Sequence, residues 1–147
     1  MKYQVIVLVV IMFGGGINTL SAESQFQPGQ EWSYKSRPVD AKSTLVVGSI
    51  ETDSNMGDIV HITVKNVQVT NPNAEGGFAT HIGHIPMSIK SLEDSVIKKL
   101  SDDEQADGIA EGIEAWREAK GGVFTISVSE AVQYIEDVLT DGEIVNE

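Results

Sequence analysis

Alternating and continuous apolar stretches in the first half of the chain predict β-strands. Trp32 and Tyr34 alternate with polar residues, the period of two expected for a strand with one buried face. Residues 44–50 are apolar on both faces, which is typical of a central strand. Residues 78–87 predict a further extended segment, and Pro86 places that segment at an edge of the sheet.

The longest strand candidate, residues 59–70, carries two sets of apolar residues that are out of phase. The two sets are Val60, Ile62 and Val64, followed by Val67 and Val69. A β-bulge near Lys65 and Asn66 would shift the phase by one residue and return both sets to one core. The alternative is a strand that is covered on both faces at its far end.

From Ser88 onward, the spacing of apolar residues changes to that of helices. A first helix is predicted over residues 88–100, with Ser88 or Ser91 as its N-cap. Its apolar face consists of Ile89, Leu92, Val96, Ile97 and Leu100. A second helix is predicted over residues 109–120, and Gly121-Gly122 would end it with a left-handed C-cap.

The C-terminal part of the chain predicts one more strand and one more helix. Residues 123–128 alternate as a strand, with Phe124, Ile126 and Val128 inward. The third helix begins at Ser127 or Ser129 and buries one apolar face. That face consists of Val132, Ile135, Val138 and Leu139.

The order of these elements predicts the fold class. Three or four strands are followed by two helices, one strand and one helix, and the short turns between strands favour antiparallel pairing. We therefore expect a single α+β domain over residues 23–147. It contains a mostly antiparallel sheet of about four to five strands, with three helices packed on one face.

The first 22 residues have the organisation of a secretory signal peptide. Lys2 is followed by the apolar stretch 5–13, a glycine run and the small-residue site Ser21-Ala22. The apolar stretch is shorter than the about 20 residues that span a bilayer. We expect cleavage after Ala22 and a periplasmic or secreted protein, with no membrane contact afterwards. The alternative is an uncleaved anchor that extends to Leu20.

Composition narrows the classes of function. The chain has no cysteine, which excludes disulfides, thiolate nucleophiles and cysteine metal sites. Its net charge of −12 disfavours binding to nucleic acid and favours encounter with a basic partner. The plainer interpretation of this charge is that it keeps an exported protein in solution.

The three histidines, His61, His81 and His84, lie close together in the sequence and are candidate ligands of zinc or another transition metal. Residues three apart on a strand point to opposite faces, so His81 and His84 would need a turn at Gly83 to meet one ion. The alternative is a structural or merely solvated role for all three side chains, since His61 lies with Thr63 and Lys65 on the more polar face of its strand.

A calcium site is a further possibility before the second helix. Asp103, Asp107, Gly108 and Glu114 match the first, fifth, sixth and twelfth positions of a loop that resembles an EF-hand. Gln105 departs from the pattern at the third position. The alternative is an acidic first turn that complements the helix dipole.

The distribution of acidic residues suggests a function. We expect a non-catalytic exported binding protein, such as an inhibitor or immunity-type protein, whose acidic helical face meets a basic protein. The candidate partner-binding residues are Asp102, Asp103, Glu104, Asp107, Glu111, Glu136 and Asp137. Trp116 is expected in the core. The alternative function is a small metal-binding protein or metal-assisted hydrolase that uses the three histidines.

Overall fold

One five-stranded antiparallel sheet organises the chain. The computed structural model describes residues 25–141. The strands are β1 (Glu31–Tyr34), β2 (Thr44–Asp53), β3 (Gly57–Thr70), β4 (Phe78–Ser88) and β5 (Val96–Ser101). The helices are α1 (Ile89–Ser95), α2 (Ile109–Glu118) and α3 (Val128–Thr140). The predicted signal peptide, residues 1–22, lies outside the described residues.

The strand order confirms the predicted α+β class. The sheet runs β4-β3-β2-β1-β5, and every neighbouring pair is antiparallel. Strand β2 is the middle strand of this order, as the apolar residues of both its faces predict. Strand β4, which contains Pro86, is an edge strand, and this position was also predicted from the sequence.

A bulge in β3 reconciles its two apolar sets. Asn66 has a left-handed backbone with φ 58°, and the pairing of β3 with β4 shifts register between Lys65 and Val69. Val67 and Val69 therefore join the same core as Val60, Ile62 and Val64. The predicted bulge is confirmed, because one extra residue restores the phase of the strand.

The main hydrophobic core lies between one face of the sheet and the helices α1 and α3. The helices contribute Leu92 from α1 and Val128, Ala131 and Val132 from α3. Ser88 caps α1 by accepting a hydrogen bond from the backbone of Ser91. Ser127 caps α3 in a reciprocal capping box with Glu130. These caps fix where both helices enter the core.

Helix α2 lies on the opposite face of the sheet, so the prediction of three helices on one face is wrong. Ile109 of α2 packs against Gly48 of β2, and Trp116 packs against His61 of β3. His61 alternates with Val60 and therefore points away from the main core. The polar side chains of this face suggested exposure to solvent, whereas α2 covers them.

The predicted helix over residues 88–100 is much shorter in the structure. It ends at Ser95, and residues 96–101 form β5, which pairs with β1. As a result, Ile97 and Leu100 are 62% and 48% exposed instead of buried. Their spacing fits a helix, but β1 has a free edge, and pairing with it satisfies the backbone of this segment. Strand β5 is itself an edge strand and carries the adjacent Lys98 and Lys99.

The predicted strand over residues 123–128 is also wrong. Only Phe124 forms a bridge, with Met87, and two backbone hydrogen bonds of 2.9 Å attach it to β4. Val128 already belongs to α3, because Ser127 caps that helix. Helix α2 ends through Lys120, which takes the left-handed conformation with φ 54° that was predicted for the glycines after it.

Among the helices of residues 25–141, none has both the length and the apolar character that crossing a bilayer requires.

The bulge can be tested at Asn66. We expect Asn66→Val to lower the free energy of unfolding by about 1–2 kcal/mol, because a β-branched residue fits a left-handed backbone poorly. Asn66→Gly should be close to neutral. Urea unfolding measures both, with the exposed neighbour Gln68→Val as the control. Equal effects of the valine at positions 66 and 68 would contradict a bulge centred on Asn66.

Candidate functional site

Two of the three histidines meet beneath helix α2. His61 Nδ1 lies 2.8 Å from His84 Nε2. His61 comes from the middle of β3 and is completely buried, whereas His84 comes from the edge strand β4 and is partly buried. His81 stands apart, and its Nε2 donates a hydrogen bond of 2.9 Å to the carbonyl oxygen of Asp107.

A carboxylate and a guanidinium complete this arrangement. Glu51 of β2 accepts a hydrogen bond from His61 Nε2 at 2.9 Å. Arg117 of α2 donates to both oxygens of Glu51, at 2.7 and 3.3 Å. We call Glu51, His61, His84, Trp116 and Arg117 the histidine cluster. It connects β2, β3, β4 and α2 through side chains alone.

The hydrogen bonds assign the protons of the two neutral rings. An ionised Glu51 can only accept, so His61 carries its proton on Nε2 and its Nδ1 is an acceptor. His84 then donates from Nε2 to His61 Nδ1. The ring planes differ by 28° and their centroids are 5.0 Å apart, so the rings meet edge to edge.

Burial keeps both rings neutral. Desolvation lowers the pKa of His61, although its hydrogen bond with Glu51 and the charge of Glu51 oppose this effect. Desolvation, together with the neighbouring His61, lowers the pKa of His84 to about 4. Burial alone would raise the pKa of Glu51, but hydrogen bonds from His61 and Arg117 outweigh it, and its pKa is lowered.

Trp116 covers the histidine pair from α2. Its ring meets His61 edge to face at a centroid distance of 4.9 Å and lies 6.1 Å from His84. Trp116 Nε1 donates to the carbonyl oxygen of Gly122 at 2.8 Å, which fixes the ring. Gly112 allows this close approach, since a Cβ there would lie 2.2 Å from the Cβ of His84.

The histidines are not arranged as ligands of one metal ion. Within the described residues 25–141, no group of three histidine or carboxylate side chains is placed to hold a metal. The facing nitrogens of His61 and His84 are joined by a hydrogen bond, and His81 binds a backbone oxygen elsewhere. Instead, His61 and His84 lie under Trp116 of α2, and His81 bonds to the residue just before that helix.

The loop before α2 lacks the architecture of an EF-hand. Strand β5 precedes it where an entering helix is required, and α2 already begins at Ile109. Asp103, Asp107 and Glu114 are all exposed at the surface. Gln105 thus marks a real departure from the calcium pattern.

An aromatic groove lies beside the histidine cluster, at the edge of β4. It has a volume of about 400 Å³ and is lined by Pro86, Trp116, Gly122, Val123, Phe124 and Tyr134. Phe124 and Tyr134 meet edge to face at 5.8 Å, and Tyr134 is 55% exposed. Trp116 belongs to both the groove and the histidine cluster, so one side chain connects them.

The predicted acidic surface is divided between the two faces of the sheet. The loop residues Asp102, Asp103, Glu104 and Asp107 and the helix residue Glu111 are exposed around α2. Asp137 is exposed on α3, across the sheet. Asp102 pairs with Lys99 at 2.7 Å, and Glu104 pairs with Lys65 at 3.6 Å. These residues do not form one continuous acidic face.

Glu136, the remaining candidate, is occupied within the protein. One oxygen accepts from Arg37 at 2.7 Å and the other accepts from the backbone of Thr70 at 2.6 Å. Arg37 also binds Asp40 and the carbonyl oxygen of Gln68, so this network anchors α3 to β3. The hydrogen bond from Thr70 and the neighbouring Arg37 lower the pKa of Glu136.

Sequence reasoning missed most of the residues that define both features. Glu51 and Arg117 are 66 residues apart, and no sequence spacing connects them. Tyr134 did carry a usable signal, because it lies off the apolar face of its helix. An aromatic side chain in that position is exposed unless another element covers it.

Comparisons with protein-family models, curated proteins and solved structures find no match to this chain. Its function must therefore be inferred from the residues and their geometry.

The packing of α2 can be tested at Gly112. Helix propensity alone predicts that Gly112→Ala stabilises the protein by about 1 kcal/mol. We expect the opposite, a loss of about 2 kcal/mol, because the methyl group would collide with His84. Urea unfolding measures the change. Gly122→Ala is the matched control, since a Cβ there meets nothing within 4 Å. A stabilised Gly112→Ala variant would show that α2 does not lie against His84.

The buried histidines also predict how stability depends on pH. The pKa of His84 is about 4 in the folded chain and about 6.5 when exposed, so between these values the unfolded chain binds more protons. The free energy of unfolding should therefore fall by on the order of 2 kcal/mol as the pH drops from 6.5 to 4. Urea unfolding across this range checks the loss, and His84→Gln should reduce it. An equal loss in the variant would assign the effect to His61 or to carboxylates instead of His84.

Proposed function

We propose that this protein is a non-catalytic binding protein that captures a basic segment of a partner protein in the aromatic groove. The observation that carries the proposal is the convergence of aromatic side chains from separate elements on one open groove. Pro86 comes from β4, Trp116 from α2, Phe124 from the connecting segment and Tyr134 from α3. Pro86 is buried and forms the base of the groove, Trp116 and Phe124 are partly buried, and Tyr134 is 55% exposed, so part of this aromatic surface stays accessible to a partner.

The chemistry of the groove suits a peptide or protein segment. Aromatic side chains supply a large contact area at low entropic cost and are enriched at the energetic centres of protein interfaces. The hydroxyl group of Tyr134 adds a hydrogen-bonding group at the rim. A flat aliphatic patch would offer neither this polarity nor this specificity.

Charge indicates which partners the groove favours. Glu130 and Asp137 lie on α3 one helical turn before and after Tyr134, and both are exposed. Glu114 and Glu118 of α2 are also exposed, but they lie two positions from Trp116 and therefore on another side of that helix. The acidic side chains of α3 lie beside the groove at Tyr134, and this supports a basic partner. Such charges mainly increase the rate of encounter, while the aromatic contacts slow dissociation.

The predicted signal peptide supports a role for this binding outside the cytoplasm. A periplasmic or secreted inhibitor, or an immunity-type protein directed against a basic toxin or hydrolase, is a concrete form of the proposal. Such proteins act by occupying a surface of their target. They therefore need a rigid domain and an accessible contact patch, and they need no catalytic residues.

Peptide selection tests the proposal. We expect a phage-displayed peptide library, selected on the immobilised protein at low salt, to enrich sequences that combine lysine or arginine with an apolar anchor. Tyr134→Ala should weaken an enriched synthetic peptide at least about tenfold, as loss of a central aromatic contact does. Binding should also weaken at high salt, because ions screen the flanking charges.

Ile97→Ala is the matched control. Ile97 is as exposed as Tyr134 but lies on β5, at the opposite edge of the sheet from β4. This variant should bind the enriched peptide with unchanged affinity. Enrichment of acidic peptides, equal losses in the two variants, or no enrichment at all would each contradict the proposed groove.

A further inference from the structure

Helix α2 is attached to the sheet differently from the other two helices. Helices α1 and α3 each insert fully buried residues into the main core, whereas none of the ten residues of α2 is fully buried. Ile109 and Ile113 are only partly buried. Apolar burial therefore contributes less to the position of α2, and polar contacts contribute more.

Most of these polar contacts involve groups that can gain a proton. Arg117 binds the carboxylate of Glu51, and Trp116 rests on the rings of His61 and His84. His81 binds the carbonyl oxygen of Asp107, just before the first turn of α2. The helix is thus fastened at its beginning and its end by contacts to histidines and to one carboxylate.

The histidine pair can hold one additional proton but not two. With one additional proton, His84 takes that proton on Nδ1 and passes its Nε2 proton to His61 Nδ1, so His61 then donates to Glu51 from Nε2 and to His84 from Nδ1. With two additional protons, His61 Nδ1 and His84 Nε2 both carry N–H groups. The 2.8 Å hydrogen bond between them then becomes a contact between two donors. Two positive charges would then also face each other in a buried site.

We infer that acid releases helix α2 from the sheet by protonating the His61–His84 pair, and that this release dismantles the aromatic groove. The inference rests on the proposed function only for its second part, the loss of binding. Trp116 transmits the effect, because it packs on the pair and also lines the groove. The protein would thus bind at neutral pH and release its partner in acid.

The charged groups around the pair set the pH at which this happens. Glu51 from β2 faces His61 and favours its protonation, whereas Arg117 from α2 disfavours it. Lys65 lies farther along the same face of β3 and is paired with Glu31 and Glu104. Burial lowers the pKa of both histidines, that of His84 to about 4, so release requires a pH well below neutral. Once α2 has moved away, both exposed rings regain a pKa of about 6.5, so proton uptake by the released state favours release as the pH falls between these values. The carboxylates Glu111, Glu114 and Glu118 of α2 are exposed and point away from the pair.

Trp116 provides a direct probe of α2. Trp32 and Trp116 are the only tryptophans, so Trp32→Phe leaves Trp116 as the single indole emitter. We expect its fluorescence to shift to longer wavelength between pH 7 and pH 4, as the ring leaves the sheet. Far-UV circular dichroism should retain the β-sheet signal over the same range, which distinguishes local release from global unfolding.

Two histidine variants separate the pair from other titrating groups. In the Trp32→Phe background, His84→Gln should abolish the fluorescence transition or move it at least one pH unit lower. His84 is partly exposed, so this variant is expected to fold, and His84→Asn serves as a second neutral replacement. His81→Gln is the control that retains both members of the pair, and its transition should persist.

The inference is overturned if Trp116 emission does not change above pH 4, or if the sheet signal is lost together with it. An unchanged transition in both His84 variants would also overturn it, and so would a transition lost equally in His81→Gln. Release of an enriched peptide at acidic pH, reduced by His84→Gln, would extend the result to binding. If no peptide is found, the proposed function fails, while the fluorescence experiment still decides whether α2 is released.

Discussion

Strand β3 must be covered on both faces, and the rest of the structure depends on this constraint. From Ile59 to Val64 every side chain is fully buried, although the segment alternates apolar residues with His61 and Thr63. The apolar face of β3 only has to be covered by apolar side chains of complementary shape, and helices α1 and α3 provide them. The other face needs partners for its polar atoms, because a buried polar group without one is costly. His61 finds Glu51 and His84, and Thr63 donates to the carbonyl oxygen of Gly83.

The need to cover this polar face also restricts which side chains α2 can carry. A strongly apolar helix would leave the carboxylate of Glu51 without a cationic partner. Helix α2 instead offers the guanidinium of Arg117, the indole of Trp116 and a glycine that allows close contact. The same compromise leaves part of Trp116 accessible from the side. Trp116 covers the histidine pair and also lines the aromatic groove. The groove is therefore a consequence of how the polar face of β3 is covered.

Local sequence patterns predicted much of the fold. They failed where contacts with residues distant in the sequence determine the structure of a segment. The bulge at Asn66, the edge position of Pro86 and the cap at Ser127 are each encoded within a few residues. The segment from Val96 to Ser101 has the apolar spacing of a helix, and pairing with the edge of β1 makes it a strand instead. The candidate site was predictable in part. His61 and His84 stand out in composition, but their contacts with Glu51 and Arg117 arise from strand register and helix placement, which no local pattern contains.

Strand β5 also bears on how the protein behaves when concentrated. Within residues 25–141 no strand pairs with its outer edge, and β5 carries two accessible aliphatic side chains, features that promote ordered aggregation between identical chains. Lys98 and Lys99 counter this tendency, because antiparallel stacking of two such edges would bring ammonium groups into opposition. In a domain that has no disulfide to restrain it, the charge of these two lysines opposes such pairing.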